Sequence, residues 1–209
     1  MGRKKTTNQE NTAVDEQDVE LRPFPPFLPP QATVLMMGSF PPAAEKRAMA
    51  FHYPNFQNDM WRVYGLVFFG DAMHFQHGEE KAFDAEKIKA FLTERGIAIW
   101  DTAMEVSRLQ GNASDKFLEV LRPIDLRQTL AMLPSCRAIA VTGQKALDTL
   151  LTLVSATSPP PKTGEWTEAA LDERRFRLYR MPSSSRAYPL SVEKKAEKYR
   201  RMFEEMGLK

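Results

Sequence analysis

The stretch that decides the fold is ATVLMMGSFPP at residues 32–42, an apolar run that ends in glycine, serine, phenylalanine and two prolines. A short apolar run bounded by turn residues is typical of a strand buried on both faces of a parallel sheet. The segment FRLYRMPSSSR at residues 176–186 has the same organisation, with a hydroxyl-rich loop after the run. Ligands of open parallel sheets bind in the crevice beyond the carboxyl ends of the strands. The two loops are therefore predicted to face each other across one site.

The chain from residue 32 onward alternates apolar runs with helical stretches, which predicts an α/β fold. We expect three α/β/α layers around a central, mainly parallel four-stranded sheet. Strands are predicted at residues 32–38, 97–101, 137–142 and 176–181. Helices are predicted at residues 58–68, 80–95, 125–133, 144–154 and 190–206. Ser191 is the expected N-cap of the last helix and Gly207 its end, while residues 165–172 fit either a helix or a strand.

Three segments are distinguished by their composition. Residues 1–20 lack hydrophobic periodicity and are expected to form a disordered tail. Residues 21–31 form a proline-rich strap, because the five prolines in this stretch exclude both a helix and a central strand. Residues 32–209 are expected to form a single domain.

The chain has 209 residues, of which 43% are hydrophobic, enough for one domain with a sizeable core. No apolar run approaches the roughly 18 residues needed to span a bilayer, so no membrane partner and a cytoplasmic location are expected. A single cysteine, Cys136, excludes an internal disulfide and a four-cysteine metal site, and we expect it to be a buried small hydrophobe.

The formal net charge of +2 is unevenly distributed. Residues 1–20 contain three basic and five acidic side chains, so the rest of the chain carries +4. A mildly basic body suits a protein that meets phosphates, although bulk charge does not establish nucleic-acid binding.

The two loops and the segment YPNFQNDMW at residues 53–61 contain three kinds of chemistry. Phe40 offers a plane on which a base can stack. Asn58 offers a neutral amide that can orient water. Ser183, Ser184 and Ser185 offer hydroxyl donors for a phosphate. This combination favours a nucleotide site over a site for a small metabolite.

Six segments, taken in chain order, resemble the uracil-DNA glycosylase superfamily, above all its hypoxanthine-DNA glycosylase-like branch. They read GSFP at 38–41, YP at 53–54 with NDMW at 58–61, GIAIWD at 96–101, RPIDL at 122–126, TGQKA at 142–146 and LYRMPSSS at 178–185. The resemblance covers approximately residues 32–207. The chain departs from the branch where Arg186 follows Ser185 in place of Ser-Pro and where Met60 replaces an aromatic residue. Ser39 and Phe40 stand where the commonest uracil-excising enzymes have a carboxylate.

The resemblance implies a monofunctional DNA N-glycosylase that hydrolyses the N-glycosidic bond of a deaminated base, hypoxanthine or uracil, flipped out of DNA. It implies no cofactor, no metal and a monomer bound to DNA that contains a damaged or mismatched base. Phe40 would stack on the base, with Gly38, Ser39, Pro41 and Trp61 completing the base pocket. Asn58 would position the attacking water. Ser183, Ser184 and Ser185 would hold phosphates beside the flipped nucleotide, with Arg186 near the minor groove or the gap left by the base.

Other interpretations of these residues remain open. Asn55 is the rival of Asn58 for the water, and either asparagine could instead cap the helix that starts near Asp59. Phe40 could be a core residue, and the serines could form a polar loop that caps a helix. Asp101 is interpreted as an acceptor behind the site and not as the general base.

Other kinds of site and function compete with the glycosylase. His74 and His77 lack the ligands that would complete a metal site with Glu79 and Glu80, so a solvated helix end is favoured. A non-catalytic nucleic-acid- or nucleotide-binding module on the same fold is the main alternative, and an enzyme acting on a small metabolite rests on fold analogy alone.

Overall fold

The computed structural model describes residues 19–108, 117–156 and 159–209. Its strands are β1 (Val19–Leu21), β2 (Val34–Gly38), β3 (Ile97–Asp101), β4 (Ala103–Arg108), β5 (Leu118–Pro123), β6 (Ala138–Thr142), β7 (Ser155–Ala156), β8 (Glu165–Leu171) and β9 (Arg174–Met181). Its helices are α1 (Met60–Phe69), α2 (Ala85–Arg95), α3 (Leu126–Ala131), α4 (Gln144–Leu151) and α5 (Val192–Glu205).

The central sheet has the strand order β3-β2-β6-β9-β8-β7. The first four strands are parallel, and they are the four that the apolar runs predict. Strands β8 and β7 extend the sheet in the antiparallel direction, so the four-stranded sheet expected from the sequence is the parallel part of a six-stranded one. Residues 165–172, which fitted either a helix or a strand, form β8.

Side chains of the parallel strands alternate between two helical layers. In β2, Val34 and Met36 pack with residues of α1, α2 and α5. Leu35 and Met37 pack on the opposite face with residues of α3 and α4. This alternation follows from the two-residue period of a strand, and it gives the expected three-layer α/β/α architecture.

The proline-rich strap covers an edge of the sheet. The backbone of Phe27 exchanges two hydrogen bonds with Ile99 of β3, at 2.9 and 3.0 Å. This pairing satisfies backbone groups that an edge strand would otherwise leave exposed. Residues 1–18 of the predicted tail lie outside the described residues, whereas Val19 and Glu20 already belong to β1.

A second, antiparallel sheet contains β1, β4 and β5 and was not predicted. The sequences AMEVSR and LEVLRP of β4 and β5 mix buried with exposed side chains and carry charges, so neither gives a clear strand signal.

The helix ends depend on capping side chains. The predicted helix 80–95 begins only at residue 85, because the Asp84 carboxylate accepts a hydrogen bond from the Lys87 N–H at 2.9 Å. The predicted cap of the last helix is confirmed, since the Ser191 hydroxyl accepts from the Lys194 N–H.

Cys136 is buried, as expected. Among the described residues, no helix is long and apolar enough to cross a bilayer.

Gly65 allows α1 to pack closely against the chain that follows it. A Cβ atom added at Gly65 would lie 2.2 Å from the carbonyl oxygen of Asp71. Alanine is normally favoured over glycine inside a helix by about 0.5–1 kcal/mol. The contact with a backbone oxygen opposes that preference, because the backbone cannot move aside as a flexible side chain can.

We therefore expect Gly65→Ala to lower the free energy of unfolding by about 1–3 kcal/mol, the usual cost of overpacking. Urea-induced unfolding followed by circular dichroism measures this change. An increase in stability, as helix propensity alone would give, would contradict the packing described for Gly65.

Candidate functional site

A cavity of about 550 Å³ opens at the carboxyl ends of all four parallel strands. Gly38 ends β2, Asp101 ends β3, Thr142 ends β6, and the serine loop 183–185 follows β9. The cavity is lined by Gly38, Ser39, Phe40, Pro41, Pro42, Lys46, Tyr53, Pro54, Asn55, Asn58, Asp101, Arg108, Thr142, Ser183, Ser184, Ser185, Ala187, Tyr188 and Pro189. The structure thus brings together the two loops that the sequence places after strands.

The resemblance gives a role to ten residues, and eight of them line this cavity. They are Gly38, Ser39, Phe40, Pro41, Asn58, Ser183, Ser184 and Ser185. Trp61 and Arg186 do not. Trp61 is fully buried, and its indole N–H donates to the carbonyl oxygen of His52 at 3.2 Å. Trp61 therefore has no surface in the cavity of this structure, and its contact with a base stays a prediction.

The floor of the cavity is tightly built around Gly38. A Cβ atom at this position would lie 3.0 Å from Oδ1 of Asp101 and 3.1 Å from Oη of Tyr53. The Tyr53 hydroxyl lies in turn 3.1 Å from Oγ1 of Thr142. Tyr53 has a φ of 51°, an unusual conformation for a large side chain, and its ring packs edge-on against Trp61. Trp61 thus supports the cavity floor from behind.

Phe40 lies between the cavity and the small sheet. Phe40 as a whole is 9% exposed, and it packs in a cluster with Ala103, Val106 and Leu118. The guanidinium of Arg108 lies 5.8 Å from the ring centroid and donates to the carbonyl oxygen of Pro41 at 2.7 Å. The two interpretations of Phe40 are therefore compatible, because a partly buried ring can still present one surface to the cavity.

Asn58 and Asn55 both line the cavity, and the side chain of each accepts a hydrogen bond from the backbone N–H two residues further along the chain. Oδ1 of Asn58 accepts a hydrogen bond from the Met60 N–H at 2.9 Å, at the start of α1. Oδ1 of Asn55 accepts from the Gln57 N–H at 2.8 Å. The Asn58 bond is a turn just before the helix, because the N-cap of α1 is Asp59, which makes no capping bond with its side chain. An amide oxygen has two lone pairs, so Asn58 can form this turn and still accept a hydrogen bond from water.

The serine loop is shaped by its own hydroxyl groups. Oγ of Ser183 accepts from the Ser185 N–H at 3.2 Å, and Oγ of Ser185 accepts from the Ala187 N–H at 3.3 Å. A hydroxyl that accepts such a bond keeps its own O–H for donation. Ser184 is only 4% exposed, and its carbonyl oxygen accepts from the Asp59 N–H at 2.8 Å.

A buried ion pair joins the Asn58 segment to the serine loop. Lys195 of α5 has no exposed surface, and its ammonium lies 2.8 Å from Oδ2 of Asp59 and 2.7 Å from the carbonyl oxygen of Ser185. Arg186 approaches the other oxygen of Asp59, with Nε at 3.8 Å. Asp59 thus follows Asn58 in the chain and is held by groups of α5 and of the serine loop.

Asp101 lies on the cavity wall with two basic residues behind it. Oδ2 of Asp101 is 3.5 Å from Nδ1 of His52 and 3.9 Å from Nη1 of Arg22. Burial lowers the pKa of Arg22, and the charge of Asp101 opposes that shift. The sequence placed Asp101 behind the site, whereas the structure places it on the surface of the cavity.

Within the described residues, no group of three or more His, Cys, Asp or Glu side chains is arranged to hold a metal ion. The His74 ring stacks on Phe69 with the ring centroids 3.6 Å apart, and burial followed by the charge of Lys87 lowers its pKa. Nδ1 of His77 lies 3.8 Å from the carboxylate of Asp84.

Several cavity residues received no role from the sequence. Thr142 ends a predicted strand. Because ligands bind beyond the carboxyl ends of parallel strands, Thr142 could have been placed at the site in the same way as Gly38. Tyr53 begins the segment at residues 53–61, but nothing in the sequence indicates its positive φ. Lys46 reaches the cavity from a short 3₁₀ helix (Ala44–Lys46), Arg108 from the unpredicted small sheet and Tyr188 from a loop, and no pattern in the sequence indicates them.

No protein-family model and no curated protein sequence matches the chain. Among solved structures, the chain is similar to a solution NMR structure from Methanosarcina acetivorans, described as a "putative Uracil DNA glycosylase". The TM-score is 0.61 and the sequence identity 24%, over 89% of this chain and 99% of the other. The two proteins therefore share their fold over almost their whole length.

The ion pair of Lys195 and Asp59 gives the site its first test. We expect Lys195→Met to destabilise the protein by about 3–5 kcal/mol, because it leaves the buried Asp59 carboxylate with only the exposed and more distant Arg186 as a partner. The exposed neighbour Lys194→Met is the control and should change stability by less than about 0.5 kcal/mol. Thermal and urea unfolding compare the two variants, and equal stabilities would contradict the role given to Lys195.

Proposed function

We propose that the protein is a monofunctional DNA N-glycosylase that removes a deaminated base, hypoxanthine or uracil, after the base is flipped out of DNA. The observation that supports this proposal is that an aromatic ring, a neutral amide and a hydroxyl-rich loop meet in one cavity. Its volume of about 550 Å³ is within the usual range of ligand pockets, roughly 300–1,000 Å³. The protein with the similar fold is described as an enzyme of this kind, which agrees with the proposal.

In this proposal the cavity receives the flipped base, and we call it the base cavity. Unstacking a base costs a few kcal/mol, and a pocket offsets that cost through stacking and hydrogen bonds. Phe40 supplies the stacking surface, while Gly38, Ser39 and Pro41 form the wall beside it. The absence of a side chain at Gly38 keeps the floor open between Asp101 and Tyr53.

The reaction itself requires a water placed at the sugar. The C1′–N bond breaks as the water oxygen bonds to C1′, and the base leaves with the electron pair of the broken bond. The water gives up one proton to solvent, and the departing base takes one up from solvent, so that the products are a C1′ hydroxyl and a neutral base. Asn58 cannot take a proton at neutral pH, so its contribution is to orient the water against an oxocarbenium-like sugar. Backbone N–H groups of the turn at residues 38–40 stabilise the charge on the departing base, as oxyanion-hole donors do.

The serine loop holds the DNA on the opposite side of the cavity. The free O–H groups of Ser183 and Ser185 donate to phosphates that flank the flipped nucleotide. Ser184 contributes mainly through its backbone, because its side chain is buried. Arg186 lies just outside the cavity, where an exposed guanidinium can meet the DNA.

The proposal is tested by excision assays on duplex and single-stranded oligonucleotides that contain uracil, hypoxanthine or xanthine, or G·U and G·T mismatches. Release of a base with the strand left intact supports the proposal. Tight binding to an abasic-site analogue without release of any base would instead support the non-catalytic binding module. Folded protein that neither excises nor binds would contradict both.

We expect Asn58→Ala to lower the single-turnover excision rate about 100-fold or more, the scale of a lost catalytic group. Binding of lesion DNA should change little, because the amide acts mainly in the transition state. Asn58→Ser is the matched control for the turn before α1, since a serine hydroxyl can also accept a hydrogen bond from the N–H two residues on. If Asn58→Ser keeps both the melting temperature and the excision rate of the unsubstituted protein, the turn is the only role of Asn58, and Asn55→Ala is then the variant to assay for the water.

Phe40→Leu tests stacking with little change in volume. Base–aromatic stacking is worth about 1–3 kcal/mol, so we expect lesion DNA to bind roughly 5- to 150-fold more weakly. Abasic DNA provides the control, because it has no base to stack and should bind equally to both proteins. A similar loss on both kinds of DNA would mean that Phe40 acts through the fold and not through the base.

A further inference from the structure

A second concavity, of about 640 Å³, adjoins the base cavity and shares Lys46 and Asn55 with it. We call it the basic groove. Five of the side chains that line it are basic, and one is acidic, Glu45. The basic residues are Lys46, Arg47, Arg62, Lys81 and Arg186.

The guanidinium of Arg62, one of these basic groups, is held in place by its neighbours. Its Nη1 donates to the carbonyl oxygens of Phe56, at 2.6 Å, and Asn58, at 3.0 Å. The guanidinium lies 4.5 Å from the ring centroid of Phe56 and 5.1 Å from that of Phe83. Arg62 is 9% exposed, so this cation is positioned before any ligand arrives.

The groove has more positive than negative charge. Asp59 pairs with one arginine of the groove, with Oδ1 3.8 Å from Arg186, but its Oδ2 is bound by Lys195 at 2.8 Å. Burial first, and then the charge of Arg186, lowers the pKa of Arg62. Within the described residues, Arg62, Lys46 and Lys81 have no carboxylate within 4 Å. An anion in the groove would therefore relieve repulsion between cations.

We propose that the basic groove binds backbone phosphates of the DNA strand that continues from the base cavity. Several cations spread along one groove suit the repeated charges of a nucleic-acid backbone better than a single phosphate ion. The rigid fork of Arg62 matches the geometry of phosphate oxygens. Because Arg62 also bonds the carbonyl oxygen of Asn58, a phosphate bound there contacts the same segment that borders the base cavity.

This inference rests on the proposed function for the identity of the ligand as DNA. It differs in its residues, because the glycosylase proposal places phosphates on the serine loop and assigns nothing to Lys46, Arg62 or Lys81. The two proposals are also tested by different measurements, because the groove is tested by the affinity for DNA and the glycosylase by the release of a base.

The test uses the full chain and the exposed lysines. Lys81→Gln and the double variant Lys46→Gln/Lys81→Gln remove charges without cutting any salt bridge within the described residues. Lys209→Gln is the control that removes one charge elsewhere. Lys209 follows Met206, which is bonded to Arg137 just before β6 begins, so it lies at the amino edge of the parallel strands, opposite the cavity.

Fluorescence anisotropy then measures the affinity for two duplexes, one with an abasic-site analogue and one undamaged, as a function of salt concentration. The slope of log affinity against log salt should become shallower by about 0.9 for each phosphate that the variant no longer neutralises. Both duplexes should weaken by the same factor, because binding to the backbone carries no base information. Lys209→Gln should keep the slope of the unsubstituted protein.

An unchanged slope for the double variant overturns the groove proposal, even if the protein excises bases. Loss of affinity for the abasic duplex alone also overturns it, because the lysines would then act in the base cavity. A reduced slope without any excision retains the groove and removes only the glycosylase proposal. A protein that binds neither duplex at low salt overturns both.

Discussion

The arrangement of the site depends on the buried ion pair between Lys195 and Asp59. The Lys195 ammonium contacts Asp59, which precedes α1, and Ser185, which follows β9, so three separate parts of the chain meet at one nitrogen. Burying two charges costs about as much as their attraction returns, so such a pair contributes little net stability. Its effect is to fix the relative position of the Asn58 segment and the serine loop.

Further hydrogen bonds hold the same segments to α5 and to the sheet. The Tyr199 hydroxyl donates to the carbonyl oxygen of Pro182 at 3.0 Å. Burial raises the pKa of Tyr199 well above its ordinary value, so the hydroxyl stays protonated and can donate at neutral pH. On the other side, Tyr53 bonds to Thr142. The walls of the cavity are thus held by α5 and by the strand ends, and a ligand would meet groups already in position.

The parallel part of the sheet could be predicted because its strands are continuous apolar runs that end at turn residues. The small sheet could not, since β4 and β5 mix charged and apolar side chains at irregular intervals. Trp61 lies outside the cavity for a reason of helical geometry. It lies one turn after Asn58 and shares a helix face with Tyr64, and that face packs into the core. Proximity to Asn58 in sequence therefore carried no information about the cavity.

The sequence indicates that Lys195 is buried, but it does not indicate which residue Lys195 pairs with. The predicted apolar stripe of α5 includes Val192, Ala196 and Tyr199, and Lys195 lies three residues after the first and four before the last. A lysine in the middle of such a stripe is unusual, and it indicates a buried cation that needs a partner. The identity of that partner was beyond reach, because Asp59 is 136 residues away along the chain and looks like an ordinary residue at a helix start. Only the folded sheet, which brings the ends of β2 and β9 to one edge, places the two charges together and with them the loops that form the cavity.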